Sequence, residues 1–177
     1  MTSILGTQSI QHPNGTTAAT INSNGVISQP TKPMFLAYGG SSNVSLANDT
    51  WAKVSFSDEQ YDIGSYYDPT TNYRYTPQTS GYYFVSANLG TGNTADNHTE
   101  KVILTIYKNG SGITGALAIR DWDPDGIHYN DQINTSVIVQ MNGSSDYIEA
   151  FAYIDVSSGT PRVESQQASM NIFKMTE

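Results

Sequence analysis

The stretch "DWDPDG", Asp121 to Gly126, is where the residue types and spacing come nearest to a chemical site. Asp121, Asp123 and Asp125 alternate and Gly126 closes the run, a pattern that converges carboxylates on a hard cation such as Ca2+. The twelfth position, where a helix-loop-helix calcium site supplies a bidentate Glu, is Gln132, and no helical pattern flanks the run. An EF-hand is therefore excluded. Two readings remain: an isolated Ca2+ loop in a β protein, or a turn at Pro124-Asp125-Gly126 with solvated acids. The metal reading gains if the loop stands near a three-fold axis, because crowded carboxylates are costly without a cation. Nothing in the sequence makes a cofactor obligatory. Trp122 and Tyr129 are candidate ligand contacts. A Trp outside strand alternation, beside Asp and Asn, suits saccharide stacking, and it suits equally a plug under its own loop.

Other chemistries find little support. There is no cysteine, so disulfides, thiolate catalysis and thiolate zinc sites are excluded. His12, His98 and His128 are far apart in polar contexts, without zinc spacing. No G-x-S-x-G elbow is present, and the acids cluster in turns rather than as a glycosidase pair. The expectation is a protein that is not an enzyme.

The elements that must position these residues read as strands. "MFLAY", "WAKVSF", "YRYT", "YYFVSANL", "KVILTIYK", "TSVIVQM", "YIEAFAYI" and "SMNIFKM" are each bounded by Gly, Pro, Asn or Asp. Short strands at this spacing predict a sandwich, jelly roll or barrel. Twelve Tyr, five Phe and two Trp supply the bulk for a core, and the Tyr-rich stretch from Tyr61 to Tyr83 reads as core and interface before it reads as a sugar platform. Two strands are apolar on both faces. Val102, Leu104 and Ile106 oppose Ile103 and Tyr107; Ile148, Ala150, Ala152 and Ile154 oppose Tyr147, Phe151 and Tyr153. The second face is expected to meet a neighbouring subunit or a covering loop.

A net charge of −8 with only 8 Lys and Arg disfavours nucleic acid, whose binders neutralise phosphates, and anionic membrane surfaces. No segment has the length of a membrane span. The opening "MTSILGTQSI" has neither a basic n-region nor a continuous apolar core, so no secretory signal is expected.

The segment before Met34 differs from the rest. It has two Asn-Gly turns, Asn14-Gly15 and Asn24-Gly25, no aromatic residue, and a Pro-Thr-Lys-Pro linker. Its strand "TTAATINS" has too little bulk to fold alone. Residues 1–33 are thus expected to form an arm for attachment and trimer winding, and 34–177 a head.

One block is more specific. "GSYYDPTTNYRYTPQTSGYYFVSANL", residues 64–89, resembles the signature of the complement C1q globular head within the tumour-necrosis-factor-like jelly rolls. The matching residues are Gly64, Tyr67, Asp68, Tyr73, Tyr75, Pro77, Gly81, Tyr82, Tyr83 and Phe84. "LTIYKNGSG" resembles that family's strand and hairpin, "TSVIVQMNGSSDYIEAFAY" its paired late strands, and "MNIFKM" its closing strand. Asn72 replaces the usual turn glycine as a residue that tolerates a left-handed conformation. The resemblance implies an all-β jelly-roll sandwich of the C1q/TNF type, homotrimeric, over residues 34–175. The arm "SIQHPNGTTAATINSNGVISQPTKP" resembles passages of bacteriophage tail-fibre and other virion proteins. Together these imply a virion fibre or tail-tip component at the particle surface. Its partners would be itself, other virion proteins through the arm, and a host surface glycan or protein. The alternatives are a capsid fibre or decoration protein without a receptor role, and a secreted C1q-like module.

Overall fold

The computed structural model describes residues 8–95, 99–122 and 131–177. The arm carries β1 (Ser9–Gln11), β2 (Thr17–Ile21) and β3 (Ile27–Ser28). The head carries β4 (Met34–Tyr38), β5 (Val44–Ser45), β6 (Thr50–Lys53), β7 (Asp58–Ile63), β8 (Tyr67–Asp68), β9 (Arg74–Tyr75) and β10 (Ser80–Asn93). It continues through β11 (Thr99–Lys108), β12 (Ser111–Asp121), β13 (Asp131–Asn142), β14 (Ile148–Val156), β15 (Pro161–Val163) and β16 (Ser169–Thr176). One 3-10 turn, Ser165–Gln167, precedes β16.

Two antiparallel sheets face each other in the head. One runs β5-β15-β10-β16-β4-β7, with β13 also paired to β10; the other runs β12-β11-β14-β9-β8, with β6 also paired to β14. The sequence expectation of an all-β sandwich is met. Alternation along each strand decides the core. Tyr83, Val85 and Leu89 on β10 and Met170 and Ile172 on β16 point inward. They meet Val102, Leu104 and Ile106 on β11 and Ile148, Ala150, Ala152 and Ile154 on β14, all at most 1% exposed. Each large aliphatic buried this way contributes about 1.5–3 kcal/mol.

The Tyr-rich stretch builds one end of this core. Phe35 packs on Tyr67 and Tyr75 with centroids 4.4 and 5.4 Å away, and Tyr75 meets Tyr66 and Tyr83 edge-on. The hydroxyl of Tyr67 donates to the Phe56 carbonyl at 3.0 Å, and that of Tyr83 to the Thr79 carbonyl at 2.8 Å. Gly81 has φ +138°, and a Cβ there would stand 2.3 Å from the Thr176 carbonyl oxygen, so β10 can approach β16 only with glycine.

Two expectations need correction. The left-handed residue in the Asp68 turn is Tyr73 (φ 49°), not Asn72. Asn72 instead donates through its backbone and side-chain amides to the Asp68 carboxylate, which also accepts from the amides of Thr70 and Thr71. These donors hold the Asp68 carboxyl well below the usual range. The late strands, secondly, are not paired with each other. β13 joins β10 in one sheet, whereas β14 joins β11, β6 and β9 in the other. The connecting loop is wound around Asn142, whose Oδ1 accepts from the amides of Ser144, Ser145 and Asp146. That side-chain-capped loop carries the chain from one sheet to the other.

The arm folds into a separate three-stranded antiparallel sheet. Both Asn-Gly turns form, with Gly15 and Gly25 at φ +89° and +77°. No residue from 8 to 32 is buried, and Ile10, Val26 and Ile27 stand open to solvent.

Candidate functional site

Of the acidic run, Asp121 and Trp122 are described; Asp123, Asp125 and Gly126, with Tyr129, lie outside the described residues, as do His98 and His128. Asp121 ends β12 and pairs with Lys101 at 3.1 Å. Register places Lys101 opposite both Asp121 on β12 and Asp155 on β14, so one cation serves two carboxylates. Asp155 is held above its ordinary value, first by burial and then by Asp49 and Glu100. The backbone amide of Trp122 donates to the Glu100 carbonyl at 2.9 Å, and its indole is half-buried against the core. Among the described residues no cluster of His, Asp or Glu is placed to hold a metal ion.

Larger exposed features lie on the outer faces of the two sheets. On the seven-stranded sheet, the outward rows run across strands by register. Ile138, Phe84, Phe173 and Met34 form one row; Ser136, Ser86, Asn171, Leu36 and Tyr61 form the next. Phe84 and Phe173 touch with centroids 5.1 Å apart. Tyr82, Met175 and Tyr38 extend the surface, and most of these rings and chains remain 39–56% exposed. No ion pair crosses this strip among the described residues. Exposed apolar surface this contiguous marks an interaction face.

The six-stranded sheet has the doubly apolar strands seen in the sequence. Their outward residues Ile103, Tyr107, Phe151 and Tyr153 are only half-exposed, because they cover one another. Tyr107 stacks on Phe151 at 4.2 Å, and Trp51 on β6 leans on Tyr153 at 5.6 Å. Tyr153 donates to the Asp49 carboxylate, which pushes its hydroxyl up to about 12. Lys53 bonds Glu149 at 2.5 Å and the Asn72 carbonyl at 2.8 Å, capping the Phe151 ring from 5.9 Å. Part of the double apolarity is thus satisfied inside the chain. The more open apolar face belongs to the opposite sheet, whose exposed rings were hidden in strands that read as ordinary half-polar sandwich strands.

No known family profile and no curated protein matches this sequence. Solved structures do match its fold. The globular domain of zebrafish complement 1qA aligns over 82% of this chain and 98% of its own, with TM-score 0.55 and 10% identity. Eiger TNF from S. frugiperda aligns over 82% of this chain and 94% of its own, with TM-score 0.59 and 9% identity. The head therefore has the C1q/TNF jelly-roll fold.

Proposed function

We propose that this chain is a non-enzymatic display module, a homotrimeric head on a short arm, serving as a fibre or tail-tip component of a virion. The arm engages the particle and the head faces the host surface. The observation that carries the trimer is the open apolar strip of Phe173, Ile138, Tyr82, Tyr61 and Met34 around the half-buried Phe84, on a chain that already has a full core. Such a face costs solubility unless a second copy covers it. The arm supports the same reading, since its strands have no buried residue and gain stability only against partners. Virion attachment rests on the sequence resemblance of that arm.

Native mass spectrometry of the full chain, with Ca2+ and then with chelator, tests the assembly. A species near three times 19.2 kDa is expected. A monomer under both conditions overturns the trimer. Antibody against the head, applied to intact particles, tests the location; labelling at fibre or tail tips supports it, and labelling of secreted protein alone overturns it.

A further inference from the structure

We propose that the outer face of the six-stranded sheet holds a binding groove for one neutral sugar ring, between Trp51 and a bulge in β12. The inference rests on the reading of the head as a host-facing module and supplies its ligand class.

The groove begins with an irregularity in the ladder. β12 pairs with β11 down to Leu117 opposite Thr105, and pairs again at Gly112 opposite Tyr107. Between these points the residues from Ile113 to Ala116 stand against Ile106 alone, so β12 must loop outward. Gly115 turns that loop at φ +86°, with nothing within 4 Å of a Cβ placed there. Trp51 on β6, three strands from β12, closes the other side. The depression between them has a volume of about 320 Å³ and is lined by Trp51, Thr105, Tyr107, Ile113, Thr114 and Leu117, with glycine at the bulge. It falls at the small end of the pocket sizes, about 300–1,000 Å³, that take small ligands.

Three observations select the chemistry. The lining bears no charge, although the chain carries 16 acids and 8 bases, so the groove recognises an uncharged group. Thr105 is only 3% exposed and lies on the groove floor, yet its hydroxyl has no hydrogen-bond partner among the described residues. It is not one of the fully buried polar atoms left without a partner, so the hydroxyl opens to the groove and can bond a group that enters it. Its Oγ1 lies 3.8 Å from where a Cβ on Gly112 would stand, and glycine leaves the approach open. Trp51, finally, is 41% exposed and is held by Tyr153, itself fixed by Asp49, so its ring is pre-organised. A ligand that offers an apolar C–H face to Trp51 and hydroxyls to Thr105, without charge, is a neutral pyranose. An aliphatic side chain of a protein partner would satisfy Trp51 and Leu117 and leave the Thr105 hydroxyl unmet.

The test applies the full-length protein to immobilised glycans ending in glucose, galactose, N-acetylglucosamine or rhamnose, with sialylated glycans as the charged control. Binding to at least one neutral series, displaced by the free monosaccharide, is expected. Trp51→Ala should weaken it by at least about tenfold, and Thr105→Val, which keeps the shape and removes the hydroxyl, by about threefold to tenfold. Gly112→Val fills the groove at a backbone conformation open to any residue, so it should abolish binding without unfolding. Unchanged native mass confirms that each variant folds. Binding to sialylated glycans alone, no glycan binding, or binding that survives Gly112→Val overturns the groove. Labelled protein on host cells separates the two readings. Adhesion that all three variants retain overturns the groove while host attachment stands; groove-dependent glycan binding without any adhesion leaves the groove and removes attachment.

Discussion

The two outer faces of the sandwich carry similar residues and use them differently. On the seven-stranded sheet, Ile138, Phe84 and Phe173 stand in a row beside one of Ser and Asn, and no ion pair among the described residues crosses them. On the six-stranded sheet, Tyr107 and Phe151 stack on each other and Lys53 caps the pair; of the large apolar side chains described there, Trp51, Leu117 and Ile119 are well exposed. What separates them is how cross-strand neighbours meet. Tyr107 and Phe151 stack at 4.2 Å under Lys53, whereas Phe84 and Phe173, also neighbours across strands, meet tilted at 5.1 Å and leave Phe173 39% exposed. The first arrangement suits a flat, dry contact between copies; the second suits a small ligand held at one groove.

The largest effect that tests this contrast is on assembly. Phe84→Arg should convert the trimer to monomer by native mass spectrometry, because a buried unpaired charge at a subunit contact is strongly unfavourable. Leu117→Arg on the other face should leave the mass unchanged. If the two outcomes are reversed, the faces have been assigned the wrong way round.

A smaller effect falls on the second face. Lys53→Met leaves Glu149 buried without its partner and uncaps Phe151. A loss of about 2 kcal/mol in urea denaturation is expected, below the range for fully buried pairs because the Lys53 chain is partly solvated. No measurable loss would mean that the aromatic stack holds itself.

The smallest effect concerns the rim of the first face. Asp62 lies on β7 next to Tyr61; its Oδ2 accepts from the Tyr67 amide at 2.7 Å, and its Oδ1 has no partner among the described residues. Burial pushes this carboxyl up, partly offset by amides of Tyr67 and Tyr66. A raised carboxyl means that the folded state holds the proton more tightly than the unfolded chain. Ionisation of Asp62 therefore costs stability as pH rises through the folded value, and the cost is absent below the unfolded value of about 3.9. Asp62→Asn should give a small rise in Tm at pH 7 that fades as pH falls to about 4. The Tyr75 hydroxyl, also unpartnered among the described residues, is pushed up by burial first, then by Tyr83 and Asp62.

Much of the fold was legible because alternation is local. Val102, Leu104 and Ile106 announced their common side, and "GYYFV" its aromatic strand, from residue order alone. β7 and β12 were not legible. "DEQYDI" is polar along an edge, and "SGITGALAIRD" is interrupted by glycines that mark the bulge. Of the candidate site residues, Asp121 and Trp122 were found in the sequence for their types, but their partners Lys101 and Glu100 come from a strand some twenty residues away. Trp51 and Thr105, which form the groove, carried no signal, because a Trp on a short strand and a Thr among Ile and Leu are ordinary β residues.

The sequence by itself determined an all-β chain, the alternation that chooses each strand's buried side, the Asn-Gly turns of the arm, and an acidic, cysteine-free surface. These follow from side-chain period, glycine's access to positive φ, and simple charge counting. Only the tertiary structure decided which strands share a sheet, and hence that Phe84 faces Phe173 while Tyr107 faces Phe151. Cross-strand neighbours are set by pairings tens of residues apart, and whether a ring is open or covered depends on how it stacks on that neighbour and what caps the pair.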